Sequence, residues 1–221
     1  MIQSQENTTT NVWSKTDWGI YINTIESPDL KNTKGYYYNG YMRTEDLFVG
    51  ADVARSKPLI YFAILLFGMA KEIPISGFVN CSYRKIKLRE CQPDVSFYIG
   101  DRANLAPKGN SAVNVDEQAI PNLVVEISNT TINDDLGAKR FLYEEMGVSE
   151  YWIVDVQNTL IYAFEMLVGE ASPLENRGSR RIDNSLVLPE LSIDTITTAL
   201  TLSKEQDQSQ IGKWLMSQFQ G

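Results

Sequence analysis

The chain has 221 residues, of which 43% are hydrophobic and 22% charged, and its formal net charge is −8. This length suits one α/β domain with a complete core, and the acidic balance disfavours indiscriminate binding to nucleic acid. The chain has no histidine and two cysteines, which excludes Ser-His-Asp and Cys-His catalysis and disfavours a zinc site. Any metal site must use oxygen ligands, which suit Mg²⁺ or Mn²⁺.

The first residues of the chain are polar. We expect a disordered tail over residues 1–12, followed by a single domain over residues 13–221. The N-terminus lacks the apolar segment of a secretory signal, and no apolar run approaches the roughly 20 residues that span a bilayer. These features predict a cytoplasmic protein with no membrane segment.

The N-terminal part of the domain predicts a hairpin followed by a buried helix. Aromatic residues flank the Asn39-Gly40 dipeptide within residues 34–43, and Asn-Gly is the strongest short turn signal between two strands. Pro58 fits the first turn of a helix whose apolar body is Leu59–Met69. Further along the chain we expect two strands and a loop, over residues 77–90, 93–99 and 101–119.

The second half of the chain alternates between strands and helices. Residues 122–128 are apolar on both faces, which predicts a central strand. Asn133 or Asp134 can cap a helix that runs to about Met146, with Gly147 directly after it. The remaining elements are predicted as strands over 150–156 and 159–166, a loop over 169–184, a strand and helix over 186–199, and a helix over 211–219. This order predicts a mixed α/β fold, with a central mixed β-sheet flanked by helices and an N-terminal hairpin.

Two carboxylates on neighbouring predicted strands are the main candidates for chemistry. Asp94 follows Pro93 at the start of one strand, and Glu126 lies next to Ile127 within another, apolar strand. Such a carboxylate is costly to bury without a partner, and one cation can serve two carboxylates. Asp94, Glu126 and the main-chain carbonyl of Ile127 therefore predict a Mg²⁺ site, which would polarise a phosphoryl group and activate a water molecule.

Lys139 is the candidate for the positive charge that accompanies this site. It is spaced so that it shares one helix face with Leu136, Tyr143 and Met146. A lysine on this inward face can reach the Glu126 end of the strand and orient the attacking water.

Ser128 and Tyr143 are auxiliary candidates near the same site. Ser128 lies two residues after Glu126, on the same face of the predicted strand, but carries no positive charge. Each of the three main residues also has a structural interpretation. Asp94 fits a turn or cap carboxylate, Glu126 fits an ion pair with Lys139, and Lys139 fits a lysine that extends along an apolar face.

A short basic run gives possible DNA contacts. Lys85, Lys87 and Arg89 alternate along the predicted strand over residues 77–90, so they would share one face. Such a run is more typical of a solvated sheet face than of a DNA-binding surface, and both interpretations remain open.

Taken together, these motifs resemble the Uma2-type group of the PD-(D/E)XK nuclease superfamily, which has the restriction-endonuclease-like fold. The resemblance covers about residues 30–195, and its segments are Asn39-Gly40, Pro93–Val95, Leu123–Ser128, Asp135–Lys139 with Tyr143, Gly147-Val148, Glu150–Asp155 and Leu188–Leu191. It implies a homodimer that cleaves DNA phosphodiesters with Mg²⁺. Asp94 and Glu126 would be the metal-binding carboxylates. Lys139 would be the catalytic lysine, moved to the helix from the strand position of Ser128.

Two features depart from the family pattern. The Tyr36–Tyr38 segment stands where the family usually has a glutamate before the early turn, and the histidine that often follows is absent. Glu45 is the candidate substitute for this outer carboxylate. The alternative functions are a catalytically degenerate dimerisation or DNA-contact module, and a metal site that acts on another phosphate ester or a partner protein.

Overall fold

The computed structural model describes residues 10–47, 50–167 and 178–220. Its strands are β1 (Ser14–Lys15), β2 (Thr33–Tyr38), β3 (Tyr41–Asp46), β4 (Ile75–Val79), β5 (Tyr83–Lys85), β6 (Arg89–Cys91), β7 (Val95–Ile99), β8 (Val113–Asn114), β9 (Leu123–Ser128), β10 (Glu150–Asp155), β11 (Leu160–Met166) and β12 (Ser179–Arg181). Its α-helices are α1 (Trp18–Ile25), α2 (Ala51–Ala70), α3 (Ile132–Leu136), α4 (Ala138–Met146), α5 (Ile193–Leu202) and α6 (Gln208–Phe219). Short 3₁₀ helices cover Pro28–Leu30 and Gly100–Leu105. The predictions for tail residues 1–9 and for loop residues 169–177 lie outside the described residues.

The strands form two six-stranded sheets. The first has the order β1-β3-β2-β6-β5-β8, and the second has the order β12-β11-β10-β9-β7-β4. In the second sheet β9 and β10 are parallel and the other neighbours are antiparallel. The mixed α/β fold class and the central position of β9 are confirmed. The prediction of one central sheet is incomplete, because the N-terminal hairpin belongs to a separate sheet.

The predicted hairpin is the β2–β3 pair. Tyr38 pairs with Tyr41, and the two turn residues have positive φ angles, 50° at Asn39 and 78° at Gly40, as a type I′ turn requires. The register also pairs Lys34 with Glu45 and Tyr36 with Arg43. Since residues two apart on a strand share a face, these four side chains point to the same side of the first sheet.

The prediction of one strand over residues 77–90 is wrong. The chain leaves β4 at Val79, turns at Asn80 with a φ of 52°, and then forms the β5–β6 hairpin of the first sheet. Lys85 pairs with Arg89 across this hairpin, and Lys87 lies in its turn with a φ of 63°. The alternation predicted for Lys85, Lys87 and Arg89 therefore fails, because a strand repeat does not continue through a turn.

Helix α2 is longer than predicted. It begins at Ala51, so Pro58 lies inside it rather than in its first turn. Burial explains the extension, since Val53 and Ser56 in the added N-terminal turns are buried and Val53 packs in the core, and tertiary packing outweighs local propensity. By length and composition alone, α2 is also apolar enough to span a membrane. This corrects the prediction that no segment of the chain is long and apolar enough to do so. Because half of it is buried within the fold, we interpret α2 as a core helix.

The predicted helix before Gly147 is divided at Gly137. The backbone at Gly137 leaves helical geometry, and a Cβ there would lie 2.9 Å from the carbonyl oxygen of Asn133. The N-cap of α3 is Thr131 rather than Asn133 or Asp134. Gly147 ends α4 in the left-handed conformation as predicted, with a φ of 83°.

The second sheet separates two hydrophobic clusters. One face of β9 and β10, which includes Val125 and Trp152, packs with α2, α5 and α6. The other face, which includes Val124 and Ile153, packs with α4 and the first sheet. Because side chains alternate along a strand, Glu126 shares the face of Val124 and points toward the first sheet and α4.

Replacing Pro58 by alanine tests the position of α2. Alanine restores the N–H that the helix interior lacks at this position, so we expect the free energy of unfolding to rise by about 1–3 kcal/mol. Urea denaturation measures this change. If Pro58 occupied a first turn, the substitution would be close to neutral.

The matched control is Pro28→Ala. Pro28 occupies the first position of a 3₁₀ helix, where no N–H is needed, so its replacement should change stability by less than about 1 kcal/mol. Equal effects of the two substitutions would contradict the interpretation of α2.

Candidate functional site

A polar cleft of about 230 Å³ opens where the first sheet, β9 and α4 meet. The structure brings the predicted residues Asp94, Glu126, Ile127 and Lys139 together in the lining of this cleft, with the auxiliary candidate Glu45. The hairpin register carries Glu45 to the cleft from β3, while the alternation of β9 carries Glu126 there from the opposite side. The cleft is therefore formed between the two sheets.

Lys34 is a site residue that could not be recognised from the sequence. Its ammonium nitrogen lies 3.1 Å from Oδ1 of Asp94 and 3.2 Å from Oε2 of Glu126, and 3.8 Å from Oε2 of Glu45. The Lys34 side chain is only 6% exposed. One buried cation thus links both carboxylates that were predicted to share a metal ion. The only sequence signal was its place in the predicted hairpin strand.

Asp94 lies directly before β7 and has a donor on each oxygen. Oδ2 accepts the main-chain N–H of Ile127 at 2.8 Å, and Oδ1 contacts Lys34 and also Lys57, which is 2.6 Å away. Burial opposes ionisation, but Lys34 and Lys57 outweigh it and hold the pKa of Asp94 well below its usual range. Lys57, on α2, was also missed from the sequence.

Glu126 receives two tyrosine hydroxyls as well as the Lys34 contact. Tyr36 and Tyr143 both donate to Oε1, at 2.9 Å and 2.6 Å. Burial raises the pKa of Glu126 to about 7, although the positive charges of Lys139 and Lys34 oppose this shift. Tyr143 therefore lies where the helix-face spacing predicted it, and Tyr36 contributes from β2.

Lys139 has carboxylates as its nearest polar partners. Its ammonium lies 2.8 Å from Oε1 of Glu45 and 2.9 Å from Oδ1 of Asp135, but 3.8 Å from Oε1 of Glu126. It also lies 4.4 Å from the centre of the Tyr36 ring, a cation–π distance. Burial would lower the pKa of Lys139, but the carboxylates raise it well above its usual range. Lys139 therefore stays charged at neutral pH.

The auxiliary candidates Glu45 and Ser128 differ in their relation to the cleft. Oε1 of Glu45 accepts a hydrogen bond from Nε of Arg43 at 2.7 Å in addition to the Lys139 contact. Burial would raise the pKa of Glu45, but Lys139 and Lys34 lower it to about 2. Ser128 instead places its hydroxyl 3.3 Å from that of Thr131. Glu45 thus belongs to the charged cluster, whereas Ser128 pairs with another hydroxyl.

The charged groups of the cleft form one connected network. Salt bridges link five carboxylates to four cations, which are Glu45, Asp94, Glu126, Asp134 and Asp135, and Lys34, Arg43, Lys57 and Lys139. The network carries one net negative charge when every member is ionised.

The carboxylate oxygens of the cleft suit a hard metal ion, but a cation of the chain already lies between them. Asp94 and Glu126 offer carboxylate oxygens, which Mg²⁺ prefers, and both already contact a single cation. That cation is the Lys34 ammonium. Within residues 10–47, 50–167 and 178–220, no group of three or more acidic side chains is arranged to hold a metal ion.

The predicted DNA-contact residues lie away from the cleft. They belong to the β5–β6 hairpin, whose Arg89 pairs with Tyr38 at the turn end of β2. Tyr38 lies four positions from Lys34 on β2, which is about 13 Å along the strand. Arg89 also forms an ion pair with Glu145, at 2.7 Å.

A family model described as "Putative restriction endonuclease", Uma2, matches residues 59–199 of this chain. The chain belongs to the Uma2 family. This confirms the predicted family, and the description of the family supports a nuclease role. The matched range contains Asp94, Glu126 and Lys139 but begins after Lys34, Glu45 and Lys57.

One solved structure similar to this Uma2 chain comes from Anabaena variabilis ATCC 29413 and is described as a putative nuclease belonging to DUF820. It has 14% sequence identity and a TM-score of 0.48, and the match covers 75% of this chain and 90% of that chain. No curated protein matches this chain.

The low pKa of Glu45 predicts a measurable loss of stability in acid. Because the folded pKa of about 2 lies below that of an unfolded glutamate, the unfolded chain binds the proton more readily, and stability falls as the pH drops from about 5 to about 2. In Glu45→Gln this contribution is absent, so its free energy of unfolding should fall less steeply over that range. Denaturant titrations at a series of pH values measure the slope.

The control for this measurement is Glu205→Gln, which removes an exposed carboxylate in the turn after α5. Its acid slope should match that of the wild-type protein. A Glu45→Gln slope that equals the wild-type slope would contradict the assignment of Glu45 to the charged network.

Proposed function

We propose that this Uma2 protein is a metal-dependent endonuclease that hydrolyses DNA phosphodiester bonds in the cleft of Asp94, Glu126 and Lys139. The observation that carries this proposal is the shared cation position, since a single ammonium lies within 3.2 Å of both carboxylates. A metal ion bound there would be held by Glu126 on β9 and by Asp94 directly before the neighbouring strand β7. Membership of the Uma2 family supports the nuclease chemistry.

Asp94 and Glu126, with the main-chain carbonyl of Ile127, would hold Mg²⁺ or Mn²⁺. Such an ion polarises a phosphoryl group and lowers the pKa of a bound water. The chain's own groups then serve to position the ligands. The N–H of Ile127 fixes one oxygen of Asp94, at 2.8 Å, and the hydroxyls of Tyr36 and Tyr143 fix one oxygen of Glu126.

In this proposal Lys139 acts as a fixed positive charge. Its raised pKa excludes it as a general base near neutral pH, because it would hold its proton. Glu45 and Asp135 fix the ammonium from two sides, so it is already oriented before a substrate binds. A charge fixed in this way can donate a hydrogen bond to the attacking water or to a phosphate oxygen as negative charge develops.

A second candidate function is a catalytically degenerate module that dimerises or contacts DNA without cleaving it. One specific observation favours it. Each carboxylate oxygen of Asp94 and Glu126 already has a donor or a cation from the chain, so the network is complete without a metal. The presence of the Tyr36–Tyr38 segment in place of the expected outer glutamate also favours this second function.

The predicted homodimer and the predicted cytoplasmic location are compatible with either function. Neither depends on the charge network of the cleft. Light scattering on the full chain tests the dimer, and an observed mass near 25.0 kDa would contradict it.

Plasmid nicking tests the endonuclease directly. With Mg²⁺ or Mn²⁺, the wild-type chain should convert supercoiled DNA to the open form, and a chelator should stop the reaction. Asp94→Asn, Glu126→Gln and Lys139→Met should each reduce the rate at least about 100-fold, as expected for groups that stabilise transition-state charge.

The control is Glu165→Gln, which removes a carboxylate paired with Arg180 on β12 and should leave the nicking rate unchanged. Activity that survives in both Asp94→Asn and Glu126→Gln would contradict the proposed site. Binding of labelled DNA without cleavage under all metal conditions would favour the degenerate module.

A further inference from the structure

We propose that the Lys34 ammonium is an intramolecular competitor of the metal ion in this cleft. It occupies the cation position that Asp94 and Glu126 share, and a divalent ion binds both carboxylates only after Lys34 has left. This inference rests on the proposed metal site and names the residue that regulates its occupancy.

The geometry of Lys34 is that of a fitted cation. Its ammonium has three polar neighbours within hydrogen-bond distance, namely Asp94 at 3.1 Å, Glu126 at 3.2 Å and the hydroxyl of Tyr36 at 3.1 Å. An ammonium has three N–H donors, so these contacts use its full capacity. A metal ion that bound the same oxygens at about 2.1 Å would lie within a few ångströms of this nitrogen.

The charge balance of the cleft opposes simultaneous binding. When every member is ionised, the network of five carboxylates and four cations has one net negative charge. Adding a divalent ion with Lys34 in place would leave a net positive charge in a buried region, where like charges repel strongly. If the Lys34 ammonium moves away from Asp94 and Glu126 as the ion enters, this repulsion is reduced.

Glu45 offers a partner for the displaced ammonium. Its Oε2 lies 3.8 Å from the Lys34 nitrogen, on the same face of the first sheet and in the lining of the cleft. A short movement of the Lys34 side chain would therefore bring its ammonium from Asp94 and Glu126 to Glu45. The apparent metal affinity is therefore the intrinsic affinity multiplied by the fraction of molecules in which Lys34 has moved.

Lys57 provides a matched comparison. It lies 2.6 Å from the same oxygen of Asp94 that Lys34 contacts, but its salt bridges in the described residues do not include Glu126. Lys57 thus places a positive charge beside Asp94 without occupying the shared position. Removing Lys57 changes only the local charge. Removing Lys34 changes the charge and also vacates the cation position between Asp94 and Glu126.

Calorimetric titration with Mn²⁺ alone, on the full chain and without DNA, tests the competition. Lys34→Met and Lys34→Gln should lower the dissociation constant for Mn²⁺ at least about tenfold, while Lys57→Met should lower it by no more than about threefold. Equal effects of the Lys34 and Lys57 substitutions would overturn the proposal. So would unchanged or weaker binding in both Lys34 variants, or no binding by any protein.

Lysine labelling of the wild-type protein gives a second readout that does not depend on the folding of a variant. Saturating Mn²⁺ should increase the acetylation of Lys34 by a small acylating reagent, detected by mass spectrometry, because the displaced ammonium becomes more accessible. Lys139, which is 1% exposed, is the internal control and should stay protected. Equal or lower labelling of Lys34 with Mn²⁺ would overturn the proposal.

The two proposals can fail separately. If the Lys34 variants bind Mn²⁺ more tightly but neither they nor the wild-type chain nick DNA, the endonuclease assignment fails and the competition stands. If the wild-type chain nicks DNA with Mn²⁺ but the Lys34 variants show unchanged affinity, the competition fails and the endonuclease assignment stands.

Discussion

The burial of Glu126 is the constraint on which the rest of the site depends. This carboxylate is 1% exposed and lies in a strand whose neighbouring residues form two hydrophobic cores. Such a group is stable only with compensating partners. The partners come from the first sheet, through Lys34 and Tyr36, and from α4, through Lys139 and Tyr143. The contacts that compensate for the burial of Glu126 therefore help to fix how the first sheet and α4 pack against the second sheet.

The same contacts connect the fold to the candidate chemistry. Glu45 and Arg43 extend the network along β3, and Asp135 extends it to α3. In a buried network, loss of one member leaves its partner charged and unpaired, which is more costly than the pair is stabilising. A substitution in this cleft therefore affects stability as well as any catalysis. For that reason metal affinity and lysine accessibility, which report on occupancy, are more informative than activity alone.

What the sequence could predict was determined by local patterns. The hairpin at Asn39-Gly40, the strand around Glu126 and the inward face of Lys139 follow from turn chemistry and from periods of two and 3.6 residues. Lys34 and Lys57 could not be found in this way. The contacts of Lys34 join residues 60 and 92 positions apart, and they arise only when the two sheets pack together. The division of residues 77–90 was missed for a related reason, since Lys87 adopts its positive φ without a glycine to signal the turn.

Tyr36 and Lys34, both on β2, change the charge of the cleft in the same direction. A glutamate before the early turn would add a negative charge and accept hydrogen bonds, whereas Tyr36 is uncharged and donates to Glu126. Lys34, two residues earlier on the same strand face, adds a positive charge beside both remaining carboxylates. Both features reduce the negative charge that a divalent ion requires. Because they stand on one strand and contact the same side chain, their effects on metal binding are coupled. The position of the Lys34 ammonium then decides which cation this cleft holds.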